Sequence, residues 1–278
     1  MSAARGAAFA GVLGWPLEHT LSPPMHNAAF RALGIDATYV AFPVPPGELA
    51  AAVAGLRALG ALGANVTMPH KESVVELLDD LADDARRMGA VNTIARDGDR
   101  IVGHNTDVIG FRDFLTRDAG IDARGMRAVV LGAGGAARAV VNALGELGSE
   151  EIVVVGRRAA RAETIAALAR GARAAAWPEV GAAVGRADLV VNATPLGMGA
   201  EDPLAGVALH EGQAVVDLVY RPLETPLLAR ARAAGASAWG GLGMLVRQGA
   251  GSFRIWTGRD APVEVMIEAA SEASCANP

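Results

Sequence analysis

The sequence predicts an α/β protein of two domains: an N-terminal α/β domain, then a domain built on a parallel sheet, with C-terminal helices returning to the first. Three observations carry this prediction. Apolar strand-like runs alternate with helix-like segments through nearly all 278 residues, the pattern of helices layered on a sheet. In the second half the runs "RAVVLG", "EIVVVG", "ADLVVNAT" and "AVVDLVY" are apolar on both faces, as parallel strands covered by helices are. The first of these leads through a Gly-rich turn directly into a helix.

Taken in order, a strand at "FAGVLG" is followed by a helix opening at "SPPMHNAAF". The strand "ATYVAFPV", a helix from about Glu48, the strand "GANVTMP" and a helix from about His70 come next. "AVNTIARDGDRIVGHNTD" reads as two short strands around a turn at Asp97-Gly98. The helix "VIGFRDFLTRDAG" then stops at Gly120, a residue type that ends helices. After the apolar strands of the second half, "GMLVRQGAGSFRIWTG" and "VEVMIEAASEA" read as two helices. Boundaries near Asp107 and Gly241 divide the chain into 1–106, 107–240 and 241–278.

Apolar content of 51% and charged content of 20% describe a compact chain, and a net charge of −5 provides no general attraction to nucleic acid or an anionic membrane. The apolar start "AAFAGVLGWP" is too short to span a bilayer. Cys275 is the only cysteine, which excludes an internal disulfide framework or a Cys-based metal cage. His19, His26, His70, His104 and His210 show no metal-ligand spacing and are assigned no chemistry, so no metal is expected. A cytoplasmic location is the expectation.

Of the 25 Lys and Arg residues only Lys71, in "GANVTMPHKES", is lysine. Arg stays protonated at any working pH, whereas a Lys can give and take a proton. Chance retention in an Arg-rich chain and retention for proton transfer are both open on composition alone. Pro69 suits the first position of the helix expected after the strand. Lys71 then falls in the first helical turn, where the macrodipole disfavours a cation by ~0.3–1 kcal/mol, so a purely structural Lys would sit better elsewhere. Asn65 and Thr67 alternate on the preceding strand and share one face.

"GAGGAA", Gly132 to Ala137, fits G-x-G-x-x-A between strand and helix. Gly132 permits the tight turn, Gly134 lets the backbone approach a pyrophosphate, and Ala137 allows close helix–strand packing. The helix N-terminus supplies N–H groups and positive dipole to the phosphates. At the end of the next strand, where an NAD site carries a carboxylate, the chain reads "VVVGRRAARAE" with Arg157, Arg158 and Arg161. Guanidiniums there suit a 2′-phosphate, which makes NADP the expected cofactor. Some of the three also read as solvated helix-face charges.

"HTLSPPMH" presents a similar choice. Ser22 before Pro23 reads as a helix cap, and Thr20 and Ser22 also suit a substrate carboxylate at a helix N-terminus. Asp107 in "GHNTDVIGF" stands at a strand-to-helix junction, either as a cap or as the partner of Lys71 in a proton-transfer dyad.

With "HTLSP", "GANVTMPHKE", "GAVNT", "NTD", "GAGGAARA", "NATPLGM", "VVDLVYRPLETPLL" and "GLGMLVRQG" in this order, essentially the whole chain resembles the shikimate dehydrogenases. The resemblance implies an N-terminal substrate domain, a Rossmann-like NADP domain and C-terminal helices that return to the first. It implies reversible NADPH-dependent reduction of 3-dehydroshikimate to shikimate in aromatic amino-acid biosynthesis. Lys71 falls on the family's catalytic lysine and Asp107 on its partner. Thr20 and Ser22 fall on the carboxylate-binding hydroxyls. Thr67, Asn92, Tyr220 and Gln248 match substrate contacts, and Asn65 joins them from its strand face. The loop Gly132, Ala133, Gly134, Gly135 and Ala136 matches cofactor contacts, as do Arg157, Arg161, Leu218 and Gly241. Arg158 belongs with the same cluster, Asp83 aligns with a further contact, and Thr194 is added from its place after "ADLVVNAT".

Two departures stand out. The frequent "DNTDGxGF" of the family is "HNTDVIGF" here, and its "NRT" is "GRR". The first touches fine positioning and the second the NADP/NAD ratio. Two rival readings remain: a quinate/shikimate dehydrogenase with relaxed cofactor use, and a non-catalytic regulator that binds NADP or shikimate-like compounds. A small molecule is the expected partner, with no nucleic acid and no membrane, for a monomer or homodimer.

Overall fold

A computed structural model describes residues 8–276. The chain divides into two compact units, one running to Thr106 and resuming at Gln248, the other running from Asp107 to Arg247. In the first unit the elements are β1 (Ala8–Gly14), α1 (Ser22–Ala32), β2 (Ala37–Pro43), α2 (Leu49–Ala58) and β3 (Gly63–Val66). They are followed by β4 (Asp80–Leu81), α3 (Asp83–Met88), β5 (Thr93–Asp97) and β6 (Arg100–His104). The second unit holds α4 (Asp107–Asp113), β7 (Arg127–Leu131), α5 (Gly135–Leu147), β8 (Glu151–Val155), α6 (Ala159–Ala166) and β9 (Ala172–Ala175). Its remaining elements are α7 (Val180–Val184), β10 (Leu189–Asn192), β11 (Ala214–Asp217), α8 (Pro226–Ala233) and β12 (Ser237–Gly240). Helix α9 (Leu242–Thr257) begins in this unit and ends in the first, where α10 (Val263–Ala276) packs on α1.

The first unit's sheet runs β2-β1-β3-β5-β6-β4. Its β1, β2 and β3 are parallel, and the β5–β6 hairpin is antiparallel. Asp97 pairs with Arg100, so the hairpin turn is Gly98-Asp99, one residue later than the sequence suggested, with Gly98 at φ +61. α1 places Pro23 and Pro24 in its first turn, where their missing N–H groups have no helical partner to lose. It buries Met25, His26, Ala29 and Phe30.

The helix expected from His70 is absent. Met68–Pro69 is a cis peptide, and His70 N–H donates to Thr67 O at 2.9 Å, closing a cis-proline turn. The carbonyl of Lys71 accepts from Val91 N–H at 2.8 Å and so is engaged outside any helix. Only a 3₁₀ turn, Ser73–Leu77, follows. Lys71 therefore precedes that short turn, and the macrodipole argument for its placement does not apply.

The second unit's sheet is wholly parallel with order β12-β11-β10-β7-β8-β9. Read from β9 this is a 3-2-1-4-5-6 arrangement whose strand order reverses between β7 and β10. Valines in β7, β8, β10 and β11 are buried against helices on the faces. α5 starts after Gly134 and stops at Gly148, at φ +82, as left-handed glycine caps do. No helix among the described residues is long and apolar enough to cross a membrane.

Candidate active site

The first unit gathers three of its predicted substrate residues, Asn65, Asn92 and Gln248, into a largely buried polar cluster. Asn65 on β3 pairs in register with Thr93 on β5. Its Nδ2 donates to Ser252 Oγ at 2.8 Å and Asn92 O at 3.1 Å, with Thr93 Oγ1 at 3.3 Å. Its Oδ1 accepts from the Tyr39 hydroxyl at 2.7 Å. Asn92 Nδ2 donates to Thr106 Oγ1 at 2.9 Å and Gln248 Oε1 at 3.2 Å, while its Oδ1 accepts from Thr106 N–H at 2.8 Å. Ser252 lies one turn after Gln248 on α9, and its hydroxyl is 2.7 Å from that of Thr93. Asn65, Asn92, Thr93, Thr106 and Ser252 are all buried, and a buried polar group is tolerable only when bonded.

Sequence reasoning singled out Asn65, Asn92 and Gln248 and missed Tyr39, Thr93, Thr106 and Ser252, which join them. Thr106 sat inside the "NTD" motif. Thr93 likewise closes the "GAVNT" motif, and Tyr39 and Ser252 carry no local signal.

Ser22 is the first residue of α1 rather than a cap, and no side-chain capping bond forms there. Its side chain hydrogen-bonds Tyr39, whose hydroxyl pKa burial drives well above the ordinary value. The Ser22 N–H donates to Thr20 Oγ1 at 3.3 Å. Thr20 and Thr67 are half-buried. Lys71, half-buried, is tied through its carbonyl to Val91, the residue before Asn92. Asp107 is buried and opens α4 directly after Thr106. Asp83 is exposed at the start of α3.

In the second unit the Gly-rich loop joins β7 to α5. Gly132 has φ +111, and a Cβ there would lie 2.8 Å from Ala193 O, so only glycine fits. Gly132 N–H donates to Val155 O at 2.8 Å, which fastens the loop to the end of β8. Ala133 packs against Gly156, next to Arg157. Gly134 and Gly135 are exposed, and a Cβ at either would meet nothing within 4 Å. Ala136 follows in the first turn of α5, and Ala137 is buried. The thirteen-residue helix thus presents its N-terminal amides over open space.

Arg157, Arg158 and Arg161 are exposed, and among the described residues no carboxylate pairs with them. Open glycines beside uncommitted guanidiniums are what a dinucleotide with a 2′-phosphate requires. Thr194 sits against Gly132, with its methyl 3.1 Å from where a Cβ would be. Gly241 allows the chain to touch Leu218, whose carbonyl oxygen would be 2.1 Å from a Cβ. Tyr220 is half-buried, and its pKa is raised by that burial.

Comparison with known proteins identifies the family. Family models described as "Shikimate dehydrogenase substrate binding domain", "Shikimate / quinate 5-dehydrogenase" and "Shikimate 5'-dehydrogenase C-terminal domain" match residues 12–94, 115–203 and 241–270. The shikimate dehydrogenase (NADP(+)) of Symbiobacterium thermophilum is 50% identical over 275 residues, covering 95% of this chain and 93% of the relative. The solved shikimate 5-dehydrogenase of Thermus thermophilus, in complex with NADP(H) and shikimate, is 40% identical with a TM-score of 0.88. That match covers 96% of this chain and 99% of the other. A quinate dehydrogenase from Corynebacterium glutamicum, in complex with NAD, is 31% identical with a TM-score of 0.89 over 96% of this chain and 99% of the other. The chain belongs to the shikimate dehydrogenase family.

Proposed function

We propose that this protein is an NADP-dependent shikimate dehydrogenase that reversibly reduces 3-dehydroshikimate to shikimate, with Lys71 as its acid/base. The observation that carries the chemistry is the one titratable amine of an otherwise arginine-only chain, its backbone fastened beside the buried Asn65–Asn92 cluster. When bound, NADPH supplies the hydride that reduces the C3 carbonyl carbon. Lys71 hydrogen-bonds the carbonyl oxygen, favours the charge that develops on it and delivers the proton that completes the hydroxyl. Asp107 holds the ammonium and shares its proton, so the two act together in proton transfer.

Thr20 and Ser22 take the substrate carboxylate. Thr67, Asn92, Tyr220 and Gln248 take the ring hydroxyls, with Asn65 setting the orientation of the cluster. The loop Gly132–Ala136 holds the pyrophosphate, Arg157, Arg158 and Arg161 the 2′-phosphate, and Thr194, Leu218 and Gly241 the nicotinamide half, with Asp83 a further contact. The protein works in the cytoplasm as a monomer or homodimer.

Following NADP reduction with shikimate, beside quinate and NAD, tests the assignment directly. Lys71→Arg keeps the positive charge and removes practical proton transfer. It should lower kcat by ~10²–10⁴ with little change in shikimate affinity, and near-normal turnover would overturn the role given to Lys71. Arg157→Ala should weaken NADP far more than NAD, and equal losses would remove the 2′-phosphate contact. The quinate dehydrogenase likeness makes quinate with NAD the second reading. It wins if that pair is turned over as efficiently as shikimate with NADP.

A further inference from the structure

The chemistry above makes no use of Asp217, yet its side chain is fully buried at the end of β11. Its Oδ1 accepts from Asn192 Nδ2 at 2.8 Å and Val219 N–H at 3.1 Å, and its Oδ2 accepts from the Thr225 hydroxyl at 2.7 Å. Each donor leads into a different segment. Asn192 ends β10 and fixes the next loop. Its Oδ1 accepts from Thr194 N–H at 3.0 Å and Thr194 Oγ1 at 2.7 Å, and its Nδ2 also donates to Leu196 O at 2.8 Å. Val219 lies between Leu218 and Tyr220. Thr225 caps α8 by accepting from Leu228 N–H at 3.3 Å. The loop folds so closely over the carboxylate that a Cβ on Gly197 would lie 3.4 Å from Oδ2.

Burial raises the Asp217 pKa and the three hydrogen bonds oppose that rise. A buried carboxylate is a costly way to cap one helix, since the threonine already does so. What an ionised carboxylate offers is acceptor capacity without a donor of its own. Three donors converging from three segments need that.

We propose that Asp217 is a positioning residue for the nicotinamide half of the bound dinucleotide, fixing the backbone that carries Thr194 and Leu218. The inference rests on the cofactor assignment made under Proposed function. The strand order reverses between β7 and β10, where a dinucleotide lies across the sheet edge. With the guanidiniums after β8 taking the adenosine half, the other half falls beyond β10 and β11.

The test is binding of NADP, NAD and the 2′-phosphate of ADP-ribose, which keeps the adenosine end and lacks nicotinamide, to the full chain and its variants by calorimetry, beside steady-state kinetics. Asp217→Ala should raise Kd for NADP and NAD by a similar factor, about tenfold or more. It should lower kcat and leave the nicotinamide-free ligand within about threefold. Thr225→Ala should show a smaller loss of the same kind, and Thr225→Ser should restore wild-type values. Asp217→Asn, which keeps the shape but fewer acceptor sites, should fall between wild type and Asp217→Ala.

Equal weakening of all three ligands, or a lower binding stoichiometry at unchanged Kd, would assign Asp217 a purely structural role and overturn the proposal. Should Asp217→Ala not fold, the Thr225 pair decides by the same comparison. Failure of the wild-type chain to bind NADP at all is a separate result that removes the cofactor assignment and the proposal with it.

Discussion

His26 should make the stability of this protein pH-dependent in a way one substitution can erase. Its ring is fully buried in the first unit, stacked on Tyr39 at 4.3 Å with Phe253 and Trp256 beside it. Neither ring nitrogen has a hydrogen-bond partner among the described residues. Every ring stacked on it is uncharged, since Tyr39, the one titratable neighbour among them, is held in its neutral form by its own burial. Desolvation lowers the His26 pKa from 6.5 to about 3. The unfolded chain therefore binds more protons than the native one, and stability present above pH 6.5 is lost as pH falls toward 3.

At pH 5 the unfolded imidazole is largely protonated and the native one is not, so the step from pH 7 to pH 5 removes about 2 kcal/mol. By pH 3 the loss reaches about 4 kcal/mol, close to the whole stability of a marginal domain. His26→Leu keeps the apolar bulk and abolishes the titration. Urea unfolding of both proteins at pH 7 and pH 5 gives four free energies, and the difference of differences cancels the carboxylates common to both. The wild type should lose about 2 kcal/mol more than the variant between the two conditions. At pH 7 the variant should be close to wild type, because removing two orphaned nitrogens offsets the lost stacking, worth ~0.5–1.5 kcal/mol. If His26→Leu shows the same pH 7 to pH 5 loss as the wild type, the ring does not stay neutral in the fold.

Two further substitutions probe the two clusters. Gly241→Ala drives a methyl into the Leu218 carbonyl, 2.1 Å from the position of its Cβ. Backbone must move, so the melting temperature should fall by several degrees and Kd for NADP should rise, as thermal melts and titration would show. Ser252→Ala removes the acceptor of Asn65 Nδ2 and the partner of the Thr93 hydroxyl. It should cost about 1–3 kcal/mol in urea unfolding and raise KM for shikimate more than KM for NADP.

The legible parts of the fold were those in which local pattern and tertiary role coincide. The valine runs of β7, β8, β10 and β11, and the glycines that start and stop α5, report the buried parallel sheet directly. β9, "ARAA", and β12, "SAWG", went unread because edge strands of small residues carry little β-branched signal. β4 is two residues long and is held by pairing with β6, which no local pattern announces. The site divides the same way. The glycine loop and arginine cluster are contiguous in sequence, whereas Ser252 reaches Asn65 across 187 positions, and one serine in a helix resembles any other.

Lys71 shows how a residue can be singled out for a reason that fails and still keep its interest. The argument from the macrodipole required a helix starting at Pro69, and the cis-proline turn with the Val91 N–H bond to the Lys71 carbonyl replaces that helix. What survives is the argument from chemistry. A chain that otherwise uses arginine for every cationic position places its one exchangeable ammonium on a backbone pinned next to Asn92, whose amide is bonded on both sides to Thr106 and Gln248. Placement of the Lys71 backbone therefore comes from loop and turn hydrogen bonds rather than from a helix. Disturbing those bonds should move the amine without touching it. Val91→Pro, which deletes the N–H that holds the Lys71 carbonyl, should reduce kcat with shikimate even where the melt shows a folded protein, and unchanged kcat in a folded Val91→Pro variant would show that the pin is dispensable.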